Sequence, residues 1–313
     1  MRYRRLGRTG LEVSVIGVGT WQLSGEWGKT FTQREVDALL GRAGELGVNL
    51  IDTAECYGDH LAESLVGGAI AGDRERWIVA TKFGHRFHAE RMQETGWDPT
   101  SLRTDRWSPD DVIAQLEASL RALRTDYVDI YQSHGGTDAQ FATPGLWEAL
   151  RDQMRAGKIR HLGASLDPTD ADRARRAPEV GAEVIQVTYN RLNRVAEDGV
   201  LQACTELELG VLAREPLANG YLSGKYRPGS GIAGANDWRS YEDREDADAK
   251  LEAVAEIQAT EVPPDVPIAR WALAWCLRHP AVSGVIPGSK TIEQLEANVA
   301  AAELDTGSNR QPT

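Results

Sequence analysis

The chain has 313 residues, of which 41% are hydrophobic, and its formal net charge is −12 near pH 7; this size suits a single α/β barrel domain spanning residues 1–313. The acidic charge argues against a nucleic-acid partner, which requires a basic face. No apolar run reaches the length of a membrane span, and no signal segment follows the basic N-terminus, so we expect a cytoplasmic protein with no membrane partner. The three cysteines lack the spacing of zinc or redox motifs, so we expect no metal.

The chain begins with a predicted β-hairpin, in which Tyr3–Leu6 and Leu11–Ser14 flank a glycine-rich turn. Eight short apolar runs then alternate with helical patterns, with roughly 35–40 residues in each unit, as in βαβ repeats. The runs are mostly continuous, which is typical of strands that are buried on both faces of a parallel sheet. These eight predicted strands are Val15–Val18, Val48–Ile51, Trp77–Thr81, Tyr127–Gln132, Ile159–Ala164, Glu183–Val187, Val211–Ala213 and Val282–Ile286.

Helical patterns between these runs include Gln33–Leu46, Asp110–Leu123 and Ile268–Leu277. The second of them is preceded by Ser108 as a cap and by Pro109 at the first helical position. Eight strand–helix units predict a closed (β/α)8 barrel, a TIM barrel, with the hairpin as a plug at its bottom. The glycine fingerprint of an open dinucleotide-binding sheet is incomplete after the first strand, which argues against that alternative.

Two stretches without a periodic pattern, Gly84–Trp107 and Ala218–Pro267, follow predicted strands. In a barrel they become long loops at the C-terminal rim, where active sites of this fold lie. The charge run Tyr241–Asp246 in the second stretch is interpreted as a solvated face. Aromatic side chains are expected to line or cover the mouth and to stack on a sugar or a ring, and these are Trp21, Trp27, His85, Phe87 and Trp97.

Reactive side chains follow three successive predicted strands. Asp52 follows the second strand, with Tyr57 in the next loop, Lys82 follows the third and His134 follows the fourth. In a barrel the carboxyl ends of the strands converge on one mouth. A lysine beside a tyrosine hydroxyl favours the phenolate and lowers the pKa of the tyrosine, and an aspartate keeps the lysine charged. The arrangement predicts that Tyr57 is a general acid facing a carbonyl oxygen, which the histidine helps to hold.

Over nearly its whole length the sequence resembles the aldo-keto reductase superfamily. The resemblance implies NADPH as cofactor and a catalytic tetrad of Asp52, Tyr57, Lys82 and His134 that reduces an aldehyde or ketone to an alcohol, or runs the reverse reaction. With a histidine, His134, as the fourth member of the tetrad, the sequence resembles the carbonyl-reducing branch of the family. The motifs that carry the resemblance are Tyr3–Leu11, Gly19–Trp21, Asp52–Gly58, Ala80–Lys82, Asp129–His134, Gln186–Asn190, Pro216–Gly220 and Ile286–Ser289.

The last predicted strand leads into Gly288–Lys290 and then into a helix, where Thr291 and Gln294 have the spacing of a capping box. The amides at the start of that helix, the Ser289 hydroxyl and the Lys290 charge predict an anion site for a cofactor phosphate. The predicted cofactor contacts, most of them implied by the resemblance, are Gly19, Thr20, Trp21, Asp52, Ser165, Gln186, Arg214, Pro216, Leu217, Lys225, Ile286, Gly288, Ser289, Lys290, Gln294 and Asn298.

Three positions depart from the family's pattern. Leu166 and Ala297 stand where an asparagine and a glutamate are usual, and Arg214 stands where many members have an aromatic residue that stacks on the nicotinamide. A guanidinium plane also stacks, so Arg214 remains a predicted cofactor contact.

Two other functional classes remain open from the sequence. One is an NADPH-binding regulatory subunit resembling potassium-channel beta subunits, although no segment resembles a membrane-docking tail. The other is a metal-dependent hydrolase using Asp52, Glu55 and His134, although such sites usually have more histidines at strand ends. The expected partner is a small carbonyl or sugar substrate, and the sequence predicts no oligomeric state.

Overall fold

The computed structural model describes residues 1–88, 91, 102–231 and 237–304. It contains short strands and alternating helices. The strands are β1 (Tyr3–Arg5), β2 (Glu12–Ser14), β3 (Val18–Gly19), β4 (Leu50–Asp52), β5 (Ile78–Phe83), β6 (His85–Phe87), β7 (Arg103–Asp105), β8 (Val128–His134), β9 (Ile159–Leu166), β10 (Ala182–Thr188), β11 (Gly210–Arg214) and β12 (Gly284–Val285).

A parallel eight-stranded barrel occupies the centre, which confirms the predicted fold class. The strands are neighbours in the order β3, β4, β5, β8, β9, β10, β11 and β12. Parallel bridges from Ile16 to Val285 and from Gly19 to Gly288 join the first strand to the last. The Gly17 amide donates to the Val285 carbonyl at 2.8 Å, which closes the ring of hydrogen bonds. All eight predicted strands are present, with bounds that differ by up to a few residues.

The N-terminal hairpin covers the bottom of the barrel. Strands β1 and β2 pair in antiparallel register. Leu6 and Val13 are fully buried and pack against interior barrel residues such as Leu50. Gly7 has a φ of +52°, and a Cβ there would lie 2.1 Å from the backbone nitrogen of Gly210. Only glycine fits this close approach, so the turn locks the hairpin against β11.

Helices pack around the strands and begin at recognisable caps. The Thr32 hydroxyl accepts from the Glu35 amide, and the Glu35 carboxylate accepts from the Thr32 amide. Ser108 caps the third helix with Pro109 in its first turn, as predicted. None of the helices in the described ranges is long and apolar enough to cross a bilayer. The helices are α1 (Gln33–Glu45), α2 (Leu61–Ile70), α3 (Pro109–Leu123), α4 (Asp138–Phe141), α5 (Leu146–Arg155), α6 (Ala171–Arg176), α7 (Val200–Glu206), α8 (Arg244–Thr260), α9 (Ile268–Cys276) and α10 (Ile292–Val299).

The two stretches without a sequence pattern contain regular structure, which corrects the prediction of loops. Within Gly84–Trp107, β6 and β7 form an antiparallel ribbon. Within Ala218–Pro267, the 17-residue helix α8 is capped by Asp243, whose carboxylate accepts hydrogen bonds from two backbone amides of the first turn. The charge run is therefore partly a helix start, and residues 243–246 are exposed as predicted. The pattern was weak because only three residues of α8 are buried.

Candidate active site

A cavity of about 1020 Å³ opens at the carboxyl ends of the barrel strands. Asp52, Tyr57 and His134 line it, together with every predicted cofactor contact except Ser289. The side chain of Ser289 is buried behind the wall, and its hydroxyl accepts from Asn298 Nδ2 at 3.1 Å. The barrel thus gathers around one mouth residues that are up to 279 positions apart in the chain, from Gly19 to Asn298.

Lys82 is fully buried within β5, beneath the cavity. Its Nζ donates to Asp52 Oδ1 and to the Thr53 carbonyl, both at 2.7 Å, and lies 3.4 Å from the Tyr57 hydroxyl. Burial alone would lower the pKa of Lys82, but the Asp52 charge and these contacts raise it above its usual value. The ammonium group is therefore charged at neutral pH and points at the tyrosine hydroxyl.

Asp52 is the last residue of β4 and is 3% exposed. Besides the ion pair with Lys82, its Oδ2 accepts from Gln186 Nε2 at 2.6 Å, across the barrel from β10. A buried carboxylate is costly unless both of its oxygens have partners, and these two partners explain why a buried strand can end in aspartate. The resemblance implied a nicotinamide contact for Gln186, whereas its amide nitrogen is bound to Asp52 here.

The Tyr57 hydroxyl has a raised pKa, not the lowered pKa that the sequence predicted. Burial is the largest cause, and the charges of Asp52 and Cys56 act in the same direction. Lys82 lowers the pKa, as predicted, but burial outweighs it. Tyr57 is consequently protonated at neutral pH, which is the form that can give a proton away.

His134 ends β8, with its ring centroid 5.9 Å from that of Tyr57. Its Nδ1 faces Cys56 Sγ at 3.4 Å and Glu55 Oε2 at 3.7 Å. Burial lowers the pKa of His134 to about 3, although Glu55 opposes the shift. Burial would raise the pKa of Glu55, but the close approach and charge of His134, the charge of His85 and the hydrogen bond from the His85 amide lower it to about 2. Near neutral pH a neutral imidazole therefore lies beside a carboxylate.

Glu55 was placed together with His134 in the sequence only under the hydrolase alternative, and the contact of Cys56 with His134 was missed. Glu55 and Cys56 belong to the Asp52–Gly58 motif and are the two residues directly before Tyr57. Their position in that motif was the available signal, but only the fold brings the fourth strand against this loop.

An aromatic wall stands beside Tyr57. Trp21 stacks on Tyr57 with ring centroids 6.1 Å apart and on Trp238 with centroids 5.3 Å apart. Trp27 meets both tryptophans edge to face. Trp238 was not predicted, because it lies in the stretch that had no periodic pattern; an antiparallel bridge between Trp27 and Asp237 brings it to the cavity.

The five aromatic residues that were predicted to line or cover the mouth differ in where they lie. Trp21, Trp27 and His85 line the cavity, as predicted. Phe87 is 2% exposed and packs with Ala54, Cys56 and Leu102 behind the wall, so its prediction as a mouth residue is wrong. Trp97 lies outside the described residues.

The far end of the cavity is cationic. Lys225 and Lys290 line it, and Lys290 Nζ donates to the Trp27 carbonyl at 2.6 Å. Helix α10 begins at Thr291, whose hydroxyl accepts from the Gln294 amide at 3.2 Å. Gln294 Oε1 accepts from the Lys290 amide at 2.8 Å instead of the Thr291 amide, so the predicted capping box is offset by one residue.

The three positions that depart from the family's pattern, Leu166, Ala297 and Arg214, all line the cavity. The guanidinium of Arg214 pairs with Glu215. Its Nε is buried and has no hydrogen-bond partner within the described ranges. An unpartnered donor in this wall and two lysines at the far end fit an elongated anionic dinucleotide with a polar ring.

Comparisons with known proteins give a consistent result. A sequence profile described as the Aldo/keto reductase family matches residues 15–311. An uncharacterized oxidoreductase, YqkF of Bacillus subtilis, is 32% identical over 96% of this chain and 91% of its own length. The NADH-specific methylglyoxal reductase of Escherichia coli is 31% identical over 96% and 93%. The holo form of aldo-keto reductase AKR11C1 from Bacillus halodurans superposes with a TM-score of 0.78 at 30% identity, over 97% of this chain and 92% of its own.

Proposed function

Because the chain belongs to the aldo/keto reductase family, we propose that it is an oxidoreductase that uses NADPH to reduce an aldehyde or ketone to an alcohol, or catalyses the reverse. The observation that carries this proposal is the buried chain from Asp52 through Lys82 to the Tyr57 hydroxyl, which ends in the cavity wall next to His134. A tyrosine at the mouth of the barrel, with a charged lysine behind it, is suited to delivering one proton to a carbonyl oxygen of the substrate.

Tyr57 gives its hydroxyl proton to the carbonyl oxygen of the substrate. The nicotinamide, when bound, supplies the hydride that reduces the carbonyl carbon. Lys82 lies 3.4 Å from the hydroxyl and stabilises the phenolate that is left. Asp52 keeps Lys82 charged and fixed in direction. The raised pKa of Tyr57 keeps the proton available at neutral pH, and the lysine makes its loss less costly at the moment of transfer.

His134 orients the carbonyl oxygen in this proposal. Because Nδ1 faces Cys56 and Glu55, Nε2 is the ring nitrogen left for the substrate. The lowered pKa of His134 keeps the ring neutral, so it positions the oxygen without competing with Tyr57 as the main acid.

A neutral His134 makes a prediction about pH. Turnover in the reduction direction should show no inflection near pH 6.5, where an unperturbed imidazole titrates, because burial has moved the pKa of this ring to about 3. The measurement is kcat between about pH 5 and pH 8 at saturating cofactor. An inflection near pH 6.5 that disappears in a His134→Gln variant would contradict a neutral resting ring.

The cofactor's phosphates are proposed to lie at Lys225, Lys290, Asn298 and the start of α10, while the buried Ser289 hydroxyl holds the Asn298 side chain in place. Helix amides and the N-terminal end of the helix dipole favour anions. Burial lowers the pKa of Lys290, and the neighbouring cations Arg239 and Lys225 act in the same direction while Asp237 opposes them. An added phosphate would relieve that repulsion, which supports NADPH over NADH.

Lys290→Ala should weaken NADPH binding by about ten- to a hundredfold, because a charge-assisted contact is worth about 1.5–3 kcal/mol. NADH binding should change little, and the preference for NADPH should become less sensitive to salt. Titration of both cofactors against both proteins measures this. Lys158→Ala, which removes a lysine that pairs with Glu117 away from the cavity, is the matched control. Equal losses for the two cofactors would mean that Lys290 does not read the extra phosphate, and a native preference for NADH would overturn the choice of cofactor.

Oxidation of NADPH and of NADH, followed with methylglyoxal and a panel of simple aldehydes, ketones and sugars, tests the function itself. Both cofactors are needed because one relative is named as NADH-specific. Turnover with NADPH is the expected result. If neither NADPH nor NADH is oxidised with any substrate of the panel, the proposed activity is wrong.

The two alternative classes have less support. The relatives are named as oxidoreductases, which disfavours a purely regulatory subunit. A metal-dependent hydrolase using Asp52 needs that carboxylate as a ligand, yet both of its oxygens are taken by Lys82 and Gln186.

A further inference from the structure

Three potential metal-ligand atoms, from Glu55, Cys56 and Nδ1 of His134, lie close together, and the proposed reduction gives the substrate to the other ring nitrogen, Nε2. Cys56 Sγ lies 3.4 Å and Glu55 Oε2 lies 3.7 Å from His134 Nδ1, and all three ligand atoms lie within 4.8 Å of one another. In a tetrahedral zinc site, metal bonds of about 2.0–2.3 Å separate nitrogen, sulfur and oxygen ligands by about 3.4–3.6 Å. The separations of 3.4 and 3.7 Å are within a few tenths of an ångström of this spacing.

Glu55 supplies an independent observation. Its side chain is 2% exposed, and Oε2 has no hydrogen-bond partner in the part of the chain that the structure describes. The other oxygen, Oε1, accepts from the His85 amide at 3.0 Å. A buried carboxylate oxygen without a hydrogen bond is costly, and this one has only the long 3.7 Å contact with the His134 imidazole nitrogen.

The surrounding charges also leave room for a cation. Glu26 is buried beside this cluster and pairs with Arg103 at 2.6 Å, and the guanidinium of Arg103 also contacts the Cys56 thiol. The surroundings of the Cys56 thiol therefore contain two carboxyl groups, those of Glu26 and Glu55, and one guanidinium, that of Arg103. A cation bound to a Cys56 thiolate would offset this excess of carboxyl groups.

We propose that Glu55, Cys56 and His134 bind a thiol-preferring divalent cation of the Zn²⁺ class at the edge of the catalytic cavity. Carboxylate, thiolate and imidazole are the three ligand types that zinc accepts, and three protein ligands leave a fourth position for water. Binding forms one metal–sulfur bond, and the thiol proton passes to solvent. His134 is part of the cavity wall, so the cavity gives the cation a route to this position. A bound cation ties the His134 ring to Glu55 and Cys56.

Cobalt is the probe, because Co²⁺ takes the same ligands and a cobalt–thiolate bond absorbs light that a carboxylate or imidazole complex does not. The full-length protein, treated with chelator and then titrated with Co²⁺ without cofactor, should develop a thiolate charge-transfer band that saturates at one cation per chain. Zn²⁺ should abolish the band by displacing Co²⁺. Because no turnover is measured, this result is independent of whether the proposed reduction is correct.

Matched variants locate the cation. Cys56→Ala should abolish the band, whereas Cys204→Ala, which removes another buried thiol, should retain it. Glu55→Gln should keep a band but weaken Co²⁺ and Zn²⁺ by more than the roughly 10–100-fold that loss of an outer-shell partner costs. No band in the wild-type protein, the same band in Cys56→Ala, or an unchanged affinity in Glu55→Gln would each overturn the proposal. If Cys56→Ala fails to fold, the band and the Glu55→Gln affinity still decide it.

Discussion

Tyr57→Phe should lower turnover by about 10²–10⁴-fold, the usual contribution of a positioned general acid, and should leave NADPH binding within a few-fold. The substitution removes one oxygen atom and keeps the ring that stacks on Trp21. The aromatic wall and the cationic end of the cavity therefore remain, while the group that donates the proton is lost. Single-turnover kinetics together with a cofactor titration separate the two effects.

Tyr226→Phe is the matched control, since Tyr226 also lines the cavity but its hydroxyl contacts Arg239 and not Lys82. That variant should turn over at nearly the rate of the wild type. Near-normal turnover in Tyr57→Phe would remove the proposed mechanism. An equally large loss in both variants would mean that the cavity responds to any lost tyrosine hydroxyl, and the specific role of Tyr57 would fail.

The placement of Asp52, Lys82 and His134 could be predicted because it depends only on strand ends. Once eight strands of a parallel barrel are recognised, the residue after each strand has a known location, whatever the details of packing. The hairpin was predictable for a similar reason, since the glycine-rich turn is a local signal. Local sequence patterns and the order of the strands were therefore enough to predict the fold and the positions of these three residues.

The direction of the Tyr57 pKa could not be predicted in the same way. It depends on how much water the surrounding side chains remove, and the packing of Trp21 on Tyr57 and on Trp238 joins residues from three distant segments. The contact of Cys56 with His134 likewise joins a loop to a neighbouring strand. Desolvation and contacts between segments are properties of the folded surface, and a single sequence does not display them.

Helix α8 shows a different limit. Its apolar face is narrow because only three of its 17 residues are buried, and acidic residues dominate its first turn. A periodic pattern needs a wide buried stripe to be visible. The cap at Asp243 was the available signal, since an aspartate followed by acidic residues in the first turn is a common helix start.

Lys82→Met should destabilise the folded protein by about 3–5 kcal/mol, the typical cost of removing one partner of a buried ion pair. Lys82 and Asp52 are both almost completely buried, with side chains 1% and 4% exposed. Without the ammonium group, the Asp52 carboxylate keeps only the Gln186 amide as a hydrogen-bond partner among the described residues. Urea unfolding of the variant and the wild type measures the difference. The double variant Lys82→Met/Asp52→Asn should recover part of the loss, because no unpaired charge is then left inside the barrel.

The same variant separates the electrostatic role of Lys82 from its structural role. In the oxidation direction Tyr57 must accept a proton, so the rate depends on the phenolate. Lys82 lowers the pKa of Tyr57, and its removal should therefore move the basic limb of the oxidation-direction profile to higher pH. The double variant should recover stability but not turnover, because the asparagine cannot replace the cation beside the phenolate. A downward shift of the limb, or full activity with no shift, would show that Lys82 holds the barrel together without tuning the tyrosine.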